Sequence, residues 1–207
     1  LNASVATLGL NPSKNEFLDS NGQLLVGAFA RLESLQSLVI PNMLHATSIH
    51  HQKVLDGCLN YFKGKPYHWF NGFNLFMQTL GVSYLNGTAC HLDLFQAATD
   101  PVWSKLPRVE KEHYIKHEGW FCLEQLSNHN IKKVLLNGRS VIDEFQKLSR
   151  ISLHSSPVTS PCGGTFDFFT GTLTQGQSIV EVRGWSFNIQ SGHGVTTAMC
   201  QSAAALC

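Results

Sequence analysis

The sequence has no hydrophobic run long enough to cross a membrane. A spanning helix needs roughly 18–20 consecutive apolar residues, and polar side chains interrupt every apolar stretch before that length. The N-terminal residues also lack the charged region followed by an apolar stretch that is typical of a secretory signal. We therefore expect no membrane partner, and we expect a cytoplasmic protein.

Net charge is also scarce, with 15 Lys and Arg against 14 Asp and Glu and a formal charge of +1. Proteins that bind nucleic acid through their overall field are usually strongly basic. The balance therefore gives no global signal for DNA. It leaves room for a local basic patch, because residues 101–150 carry more basic than acidic side chains.

Several cofactor and metal motifs are missing. The six Cys include no C-x-x-C pair, so we expect them to be reduced. No glycine-rich dinucleotide or P-loop motif is present. His113 and His117 have the spacing of a zinc-binding helix, but Tyr114 stands where the Glu of that motif belongs. The sequence therefore predicts neither a cofactor nor a metal site.

The sequence is rich in hydrophobic residues that can form a core. The chain has 207 residues, of which 43% are hydrophobic, and it contains 13 Phe. This composition excludes a disordered or fibrous protein. The length suits one core, so we expect a single domain over residues 1–207 and a monomer.

Strand-like and helical segments alternate along the chain, which predicts βαβ units and a parallel sheet covered by helices on both faces. We expect an α/β protein with three α/β/α layers and a central, mainly parallel, four-stranded sheet. The strand-like segments are 4–10, 89–96, 131–136, 165–173 and 179–190. The helical segments are 24–38, 47–62, 69–80, 107–127, 140–148 and 196–206, and a Ser-, Pro- and Gly-rich loop is expected over 152–164.

Polar residues stand where strands are predicted to end. Asn11, Asp93 and Asn137 follow or finish three strands, and His193 precedes the last helix. Ligands of open parallel sheets bind at the carboxyl ends of the strands. These side chains are therefore the candidate functional residues.

Two of these places carry a family resemblance. The segment 9–13 reads Gly-Leu-Asn-Pro-Ser, with Glu16 and Phe17 beyond it. It resembles the first motif of the uracil-DNA glycosylase superfamily, in the G-x-N-P-G form of the mismatch-specific branch. Members of that superfamily place a His-Pro-Ser or Asn-Pro-Ser loop before a late helix. Here the segment 191–195 reads Ser-Gly-His-Gly-Val, so Gly and Val replace that Pro and Ser.

The resemblance implies a monofunctional DNA glycosylase that hydrolyses the N-glycosidic bond of a flipped pyrimidine and leaves an abasic site. It assigns Asn11 to orient the attacking water and His193 to donate a hydrogen bond to the pyrimidine O2. Water attack is favoured over a Lys Schiff base because no Lys falls at the motif positions. The implied partner is DNA, and no cofactor is implied.

Asp93 departs from the family, which commonly has Asn at this place. An Asn amide both donates and accepts and so matches uracil, whereas a carboxylate only accepts unless it is protonated. Asp93 would repel O4 of uracil and accept from the exocyclic amine of cytosine. We therefore expect a cytosine-type base, such as a modified cytosine in foreign phage DNA. A uracil or mismatched-thymine repair glycosylase is the alternative.

Base flipping also calls for a stacking platform and contacts to the DNA. Phe17 is the expected platform, and Tyr67, Trp69 and Phe70 form a second aromatic group. By position, Val195 corresponds to the family residue that probes the duplex. The remaining candidates for DNA contact are Ser13, Lys14, Ser191, Gly192 and Gly194, with Lys63, Lys65 and Arg139 as further phosphate ligands.

Simpler roles remain open for the same residues. Asn11 and Asn137 also suit turns, and His193 suits a helix start. Asp93 would lose its significance for cytosine if its carboxylate were paired with Arg, Lys or backbone N–H groups. Two other functional classes also remain: a non-catalytic nucleic-acid-binding relative, and a serine hydrolase using Ser191, although Ile189 stands where its motif needs Gly.

Overall fold

The structure is a computed structural model that describes residues 3–128, 130–191 and 194–207. Its centre is one six-stranded sheet in the order β2-β1-β3-β6-β5-β4. The neighbours β2, β1, β3 and β6 are parallel, whereas β5 and β4 are antiparallel. The strands are β1 (Val5–Gly9), β2 (Ala89–Asp93), β3 (Lys133–Asn137), β4 (His154–Thr159), β5 (Thr165–Gln175) and β6 (Ser178–Trp185).

In the part of the chain that the structure describes, six α-helices connect and cover these strands, so the predicted α/β class is confirmed. The helices are α1 (Leu35–Leu38), α2 (Ser48–Asn60), α3 (Phe70–Thr79), α4 (Arg108–Asn128), α5 (Arg139–Ser149) and α6 (Thr197–Ala205). All six Cys are free. Among the described residues, no helix is both long and apolar enough to cross a membrane.

The predicted strand number is wrong, because the sheet has six strands rather than four. The segment 152–164, expected to be a loop, contains β4 at the sheet edge. Most of its side chains are exposed, so it shows no apolar alternation. Pro157 is tolerated there because an edge strand can spare a backbone N–H. The strand expected over 179–190 ends at Trp185.

The helix predicted over 24–38 is also wrong. Only α1 and a short 3-10 turn at Gly27–Phe29 form in this stretch. Gly27 has a positive φ of 57°, and Ala30 is extended, so the helical backbone is broken twice. The apolar residues of this segment are not buried as a helix face would be, because Val26 and Phe29 remain exposed.

The sheet buries a different hydrophobic cluster on each face. Successive strand residues point to opposite faces, so Leu8 and Leu92 pack with the cluster that holds Cys122 of α4 and Phe145 of α5. Leu135 and Trp185 pack on the other face, with residues of α3 and α6. The same alternation points Thr7, Gly9, His91, Asp93 and Asn137 towards the α3 and α6 face.

Candidate functional site

Asp93 and His91 converge over Gly9 at the carboxyl end of β1. Gly9 and Asp93 are register partners on parallel strands. A Cβ on Gly9 would lie 2.5 Å from Asp93 Oδ1 and 3.0 Å from His91 Nε2. These two atoms are themselves 3.6 Å apart, and the side chains are 17% and 11% exposed. The glycine of the first motif therefore makes room for an acidic and a basic group side by side.

A chain of hydrogen bonds fixes the Nδ1 side of the His91 ring. Its Nδ1 lies 2.8 Å from Thr7 Oγ1, and Thr7 Oγ1 lies 2.5 Å from the hydroxyl of Tyr84. Thr7 and Tyr84 are both buried. Burial also raises the pKa of Tyr84, so the phenol keeps its proton. The imidazole is thus fixed on one edge, while its Nε2 edge faces Asp93.

Glu16 brings a second carboxyl group to the same region. It is only 6% exposed and accepts a 2.7 Å hydrogen bond from the Tyr61 hydroxyl, which itself accepts from the backbone N–H of Tyr67. Burial raises the pKa of Glu16. The Tyr61 hydrogen bond opposes that rise, the nearby Asp93 carboxylate adds to it, and His91 lowers the pKa. Glu16, Asp93 and His91 therefore share one electrostatic environment.

Asn11 lies just beyond β1 and holds the loop that follows β2. Its Nδ2 donates to the carbonyl of Ala97 at 3.0 Å and to Thr99 Oγ1 at 3.2 Å. A carbonyl can only accept, so the orientation of the amide is determined by its partner. Both N–H groups are engaged, and Oδ1 is left as the accepting atom. Asn11 thus stabilises the loop after β2 and also presents Oδ1 as an acceptor in a fixed position.

The backbone keeps Asn11 close to Asp93. The N–H of Leu94 donates to the carbonyl of Gly9, and the N–H of Phe95 donates to the carbonyl of Leu10. The pairing of β1 with β2 therefore continues past both strands. Asn11 and Asp93 therefore both lie at the carboxyl edge of this strand pair.

An aromatic wall borders this edge. His91 packs edge-on against Phe70, with ring centroids 4.9 Å apart, and against Trp69 at 6.2 Å. Tyr67 lies under the guanidinium of Arg31 at 5.2 Å. Two members of the second aromatic group predicted from the sequence, Trp69 and Phe70, therefore pack against His91. Phe17 is half-buried at the end of the turn Lys14–Glu16, and its stacking role stays a prediction.

Asn137 anchors the segment that follows β6. It is 5% exposed, and its Oδ1 accepts from Trp185 Nε1 and from the backbone N–H of Ile189. Its Nδ2 donates to the side chains of Asn188 and Gln190. Asn137 is thus a structural hub rather than a simple turn residue. It positions the backbone that leads to Ser191.

The second predicted motif is only partly visible. Gly192 and His193 lie outside the described residues, so their predicted roles stay predictions. Ser191 and Gly194 are exposed, and Val195 is half-buried, just before the cap of α6. Thr196 caps that helix by accepting from the backbone N–H of Met199.

The cationic candidates are engaged in surface contacts. Lys14 Nζ lies 3.1 Å from Asp100 Oδ1, and both side chains are well exposed. Arg139 pairs with Asp143 and Asp167. Ser13 caps the turn at Lys14–Glu16 through the backbone N–H of Asn15. Exposed ion pairs contribute little free energy, so the contact with Asp100 does little to fix Lys14, which lies three residues beyond Asn11.

Within the described part of the chain, no group of three or more His, Cys, Asp and Glu side chains could hold a metal ion. The rings of His113 and His117 lie 4.5 Å apart on α4. That pair has the spacing of a zinc-binding helix, but it lacks a third ligand in this part of the chain. In the described residues, neither the His113–His117 pair nor the sheet edge at Asp93 forms a metal centre.

Sequence reasoning passed over His91 and Glu16 as site residues. The signal for His91 was present, because residues two apart on a strand share a face, and Asp93 was already singled out. Glu16 gave no such signal, since its burial depends on Tyr61, which is distant in sequence. Thr7 and Tyr84 likewise become significant only through the fold.

The chain matches no protein-family model, no curated protein and no solved structure in the three comparisons made.

Proposed function

We propose that this protein is a monofunctional DNA glycosylase that hydrolyses the N-glycosidic bond of a flipped pyrimidine and leaves an abasic site. The observation that carries the proposal is that Asp93 and His91 converge over Gly9 at the carboxyl edge of β1 and β2, and that Asn11 follows β1 at the same edge with its amide fixed. Parallel sheets bind ligands at this edge. The resemblance of segment 9–13 to the first glycosylase motif supports the same conclusion.

The fixed amide of Asn11 suits the attacking water. With both N–H groups tied to the loop at Ala97 and Thr99, Oδ1 accepts a hydrogen bond from a water molecule and orients its lone pair. An amide is too weak a base to remove the proton early. It therefore suits a reaction in which the sugar first develops oxocarbenium character and the water adds late.

The acidic groups suit the charge that develops on the sugar. The Asp93 side chain is 17% exposed, and a carboxylate in a partly dry site stabilises a positive sugar more than it would in water. Negative charge on the departing base needs a donor on the other side. By resemblance that donor is His193, at the start of the segment that leads into α6.

Asp93 also supports a cytosine-type base as the substrate. Among the described residues, the Asp93 carboxylate forms no ion pair with Lys or Arg, and its charged-type neighbour within 4 Å is the imidazole of His91. The carboxylate is therefore available to accept from an exocyclic amine. Excision of ordinary cytosine would damage the host genome, so a modified cytosine in foreign phage DNA is the substrate we favour.

Access to the base requires flipping, for which the half-buried rings of Tyr67 and Trp69 are the stacking candidates, whereas Phe70 is buried in the core. The modest net charge of +1 indicates weak affinity for undamaged duplex. It also indicates binding that falls with salt, because phosphate contacts release counterions. Most discrimination would then come from the base pocket rather than from the backbone.

The test is to incubate the protein with duplexes that contain uracil, a thymine mismatch, cytosine, 5-methylcytosine or 5-hydroxymethylcytosine. Alkali-labile abasic sites are then quantified on a sequencing gel. We expect strand breaks at a cytosine-type base. Release of uracil alone would overturn the assignment of the base, and no abasic product on any duplex would contradict the glycosylase itself.

Two variants separate the functional classes. Asn11→Ala should abolish base release while DNA binding survives, because it removes the water-orienting group and no phosphate ligand. Ser191→Ala should leave base release nearly intact. The opposite pattern would indicate a serine hydrolase, and DNA binding without product in either variant would indicate a binding module.

A further inference from the structure

We propose that His91 is a second base-reading residue, whose Nε2–H donates to N3 of a cytosine-type base while Asp93 accepts from the N4 amine. The inference rests on the proposed glycosylase function and deepens it. A carboxylate alone can satisfy only the amine of cytosine, because it has no proton to offer to N3. His91 Nε2, at 3.6 Å from Asp93 Oδ1, is the neighbouring group that can supply the second hydrogen bond.

The hydrogen-bond chain behind His91 determines which of its nitrogens carries the proton. The buried Tyr84 phenol has to donate, and Thr7 Oγ1 is its partner at 2.5 Å. Thr7 then has one proton to give, and His91 Nδ1 at 2.8 Å is a better acceptor than the Cys90 carbonyl at 3.4 Å. Nδ1 therefore accepts, and the proton of the neutral imidazole lies on Nε2.

This arrangement places a donor and an acceptor side by side over Gly9. The edge of cytosine offers the complementary pair, the N4 amine as donor and N3 as acceptor. Uracil offers an acceptor at O4 and a donor at N3, so it would fit only if His91 faced O4 and Asp93 faced N3. The Asp93 carboxylate favours the cytosine order, because it has only acceptors and would repel the O4 carbonyl oxygen of uracil.

Two consequences follow for the substrate. The neutral imidazole and the carboxylate together satisfy both cytosine groups without protonating Asp93 or the ring. It also contacts only positions 3 and 4 of the base, so a substituent at C5 leaves both hydrogen bonds intact. A 5-substituted cytosine is therefore read in the same way as cytosine.

The experiment measures binding of duplexes in which the target nucleotide carries a 2′-fluoroarabino sugar, which resists cleavage. The bases compared are cytosine, 5-hydroxymethylcytosine, uracil, 3-deazacytosine, which lacks the N3 acceptor, and 2-pyrimidinone, which lacks the amine. We expect wild-type protein to bind both cytosines about tenfold to a hundredfold more tightly than either analogue. This comparison needs no variant and so does not depend on the folding of one.

Variants then assign each loss to a residue. His91→Phe keeps the packing against Phe70 but removes the donor, so it should lose the discrimination against 3-deazacytosine and keep that against 2-pyrimidinone. His91→Gln retains an N–H donor and should restore part of the first discrimination. In ¹⁵N NMR spectra of the free protein at neutral pH, His91 should show the Nε2–H tautomer, and Thr7→Val should produce a mixture.

Three outcomes would overturn the inference. They are equal binding of cytosine and 3-deazacytosine by wild-type protein, full discrimination by His91→Phe, and tighter binding of a 2′-fluoroarabino uracil duplex than of either cytosine duplex. Each of these binding results would contradict the role of His91 without contradicting glycosylase activity on cleavable DNA. Failure of the proposed function is a separate result, namely the absence of abasic sites on every cleavable pyrimidine.

Discussion

Asp93 occupies the space that a side chain on Gly9 would take, with Oδ1 2.5 Å from the position of the missing Cβ. This distance is far below van der Waals contact, so any larger residue at position 9 must displace the carboxylate. The displaced atoms belong to side chains at the sheet edge, not to the backbone. Gly9 is therefore needed to leave room for the side chains of Asp93 and His91, and not for the backbone conformation of β1.

We expect Gly9→Ala to reduce base excision by about 100-fold, the cost of misplacing a positioned group by about 1 Å. The free energy of unfolding should change by less than about 1.5 kcal/mol, because Asp93 can swing outwards. Single-turnover excision and urea denaturation measure the two quantities. Gly57→Ala, in an open position on α2, is the matched control and should leave excision unchanged. Loss of folding in Gly9→Ala would contradict this account.

The amide of Asn11 gives a second prediction, because Asp has the same size but no N–H groups. Asn11→Asp places an oxygen 3.0 Å from the carbonyl of Ala97, where Nδ2 now donates. We expect the loop at 97–99 to loosen, the protein to lose about 1–3 kcal/mol of stability, and excision to fall at least 100-fold. Both are measured as for Gly9→Ala.

Thr99→Val separates loop stability from chemistry in this experiment. It removes the weaker of the two Asn11 hydrogen bonds, at 3.2 Å, and leaves the amide itself in place. Excision by Thr99→Val should stay within about tenfold of wild type. If Asn11→Asp were as active as wild type, the orienting role of the amide would be wrong.

The sequence was sufficient for the parallel part of the sheet and for the edge that carries the site. Strands β1, β2 and β3 are short apolar runs that end in polar residues, so Asp93 and Asn137 were located correctly at strand ends. The rule that side chains two apart share a face then also places His91 with Asp93. These features depend on local spacing, which a single sequence displays.

The features that were missed depend on long-range partners. Strand β4 is polar and contains Pro157, and it exists because β5 pairs with it. The burial of Glu16 depends on Tyr61, 45 residues away. The contact of Gly9 with Asp93 depends on the register between β1 and β2. Pairing and register are set by the whole fold, so spacing along the chain cannot supply them.

Glu16 predicts a pH-dependent stability. Its pKa is raised by burial, so the folded protein holds this proton more tightly than the unfolded chain does. The free energy of unfolding should therefore fall as pH rises from about 4.5, the ordinary pKa of Glu, through the higher pKa in the folded protein. Glu16→Gln does not titrate and still accepts from Tyr61, so its stability relative to wild type should increase across that window.

Urea denaturation from pH 4 to pH 8 measures this difference. Glu110→Gln, an exposed position on α4, controls for the loss of one negative charge. The expected result is a gap between Glu16→Gln and wild type that widens with pH and is absent from the control pair. Parallel curves for Glu16→Gln and wild type would show that Glu16 pays no desolvation cost in the folded protein.

Asn137 predicts the largest loss of stability, because its side chain makes four hydrogen bonds in a buried position. Asn137→Ala leaves the Nε1–H of the fully buried Trp185 without its acceptor. We expect a loss of about 2–4 kcal/mol, since each buried donor left unpaired costs about 1–3 kcal/mol. Excision should also fall, because the segment up to Ser191 loses its anchor.

Asn137→Asp is the informative companion to that variant. It keeps an acceptor for Trp185 Nε1 and for the N–H of Ile189, and it repels only the oxygens of Asn188 and Gln190. The buried Nε2 of Gln190 has no hydrogen-bond partner among the described residues, so rotating that amide by 180° turns the repulsion into a hydrogen bond. We therefore expect Asn137→Asp to cost less than half as much stability as Asn137→Ala. Equal losses in urea denaturation would show that the donor side of Asn137, rather than its acceptor, holds the segment.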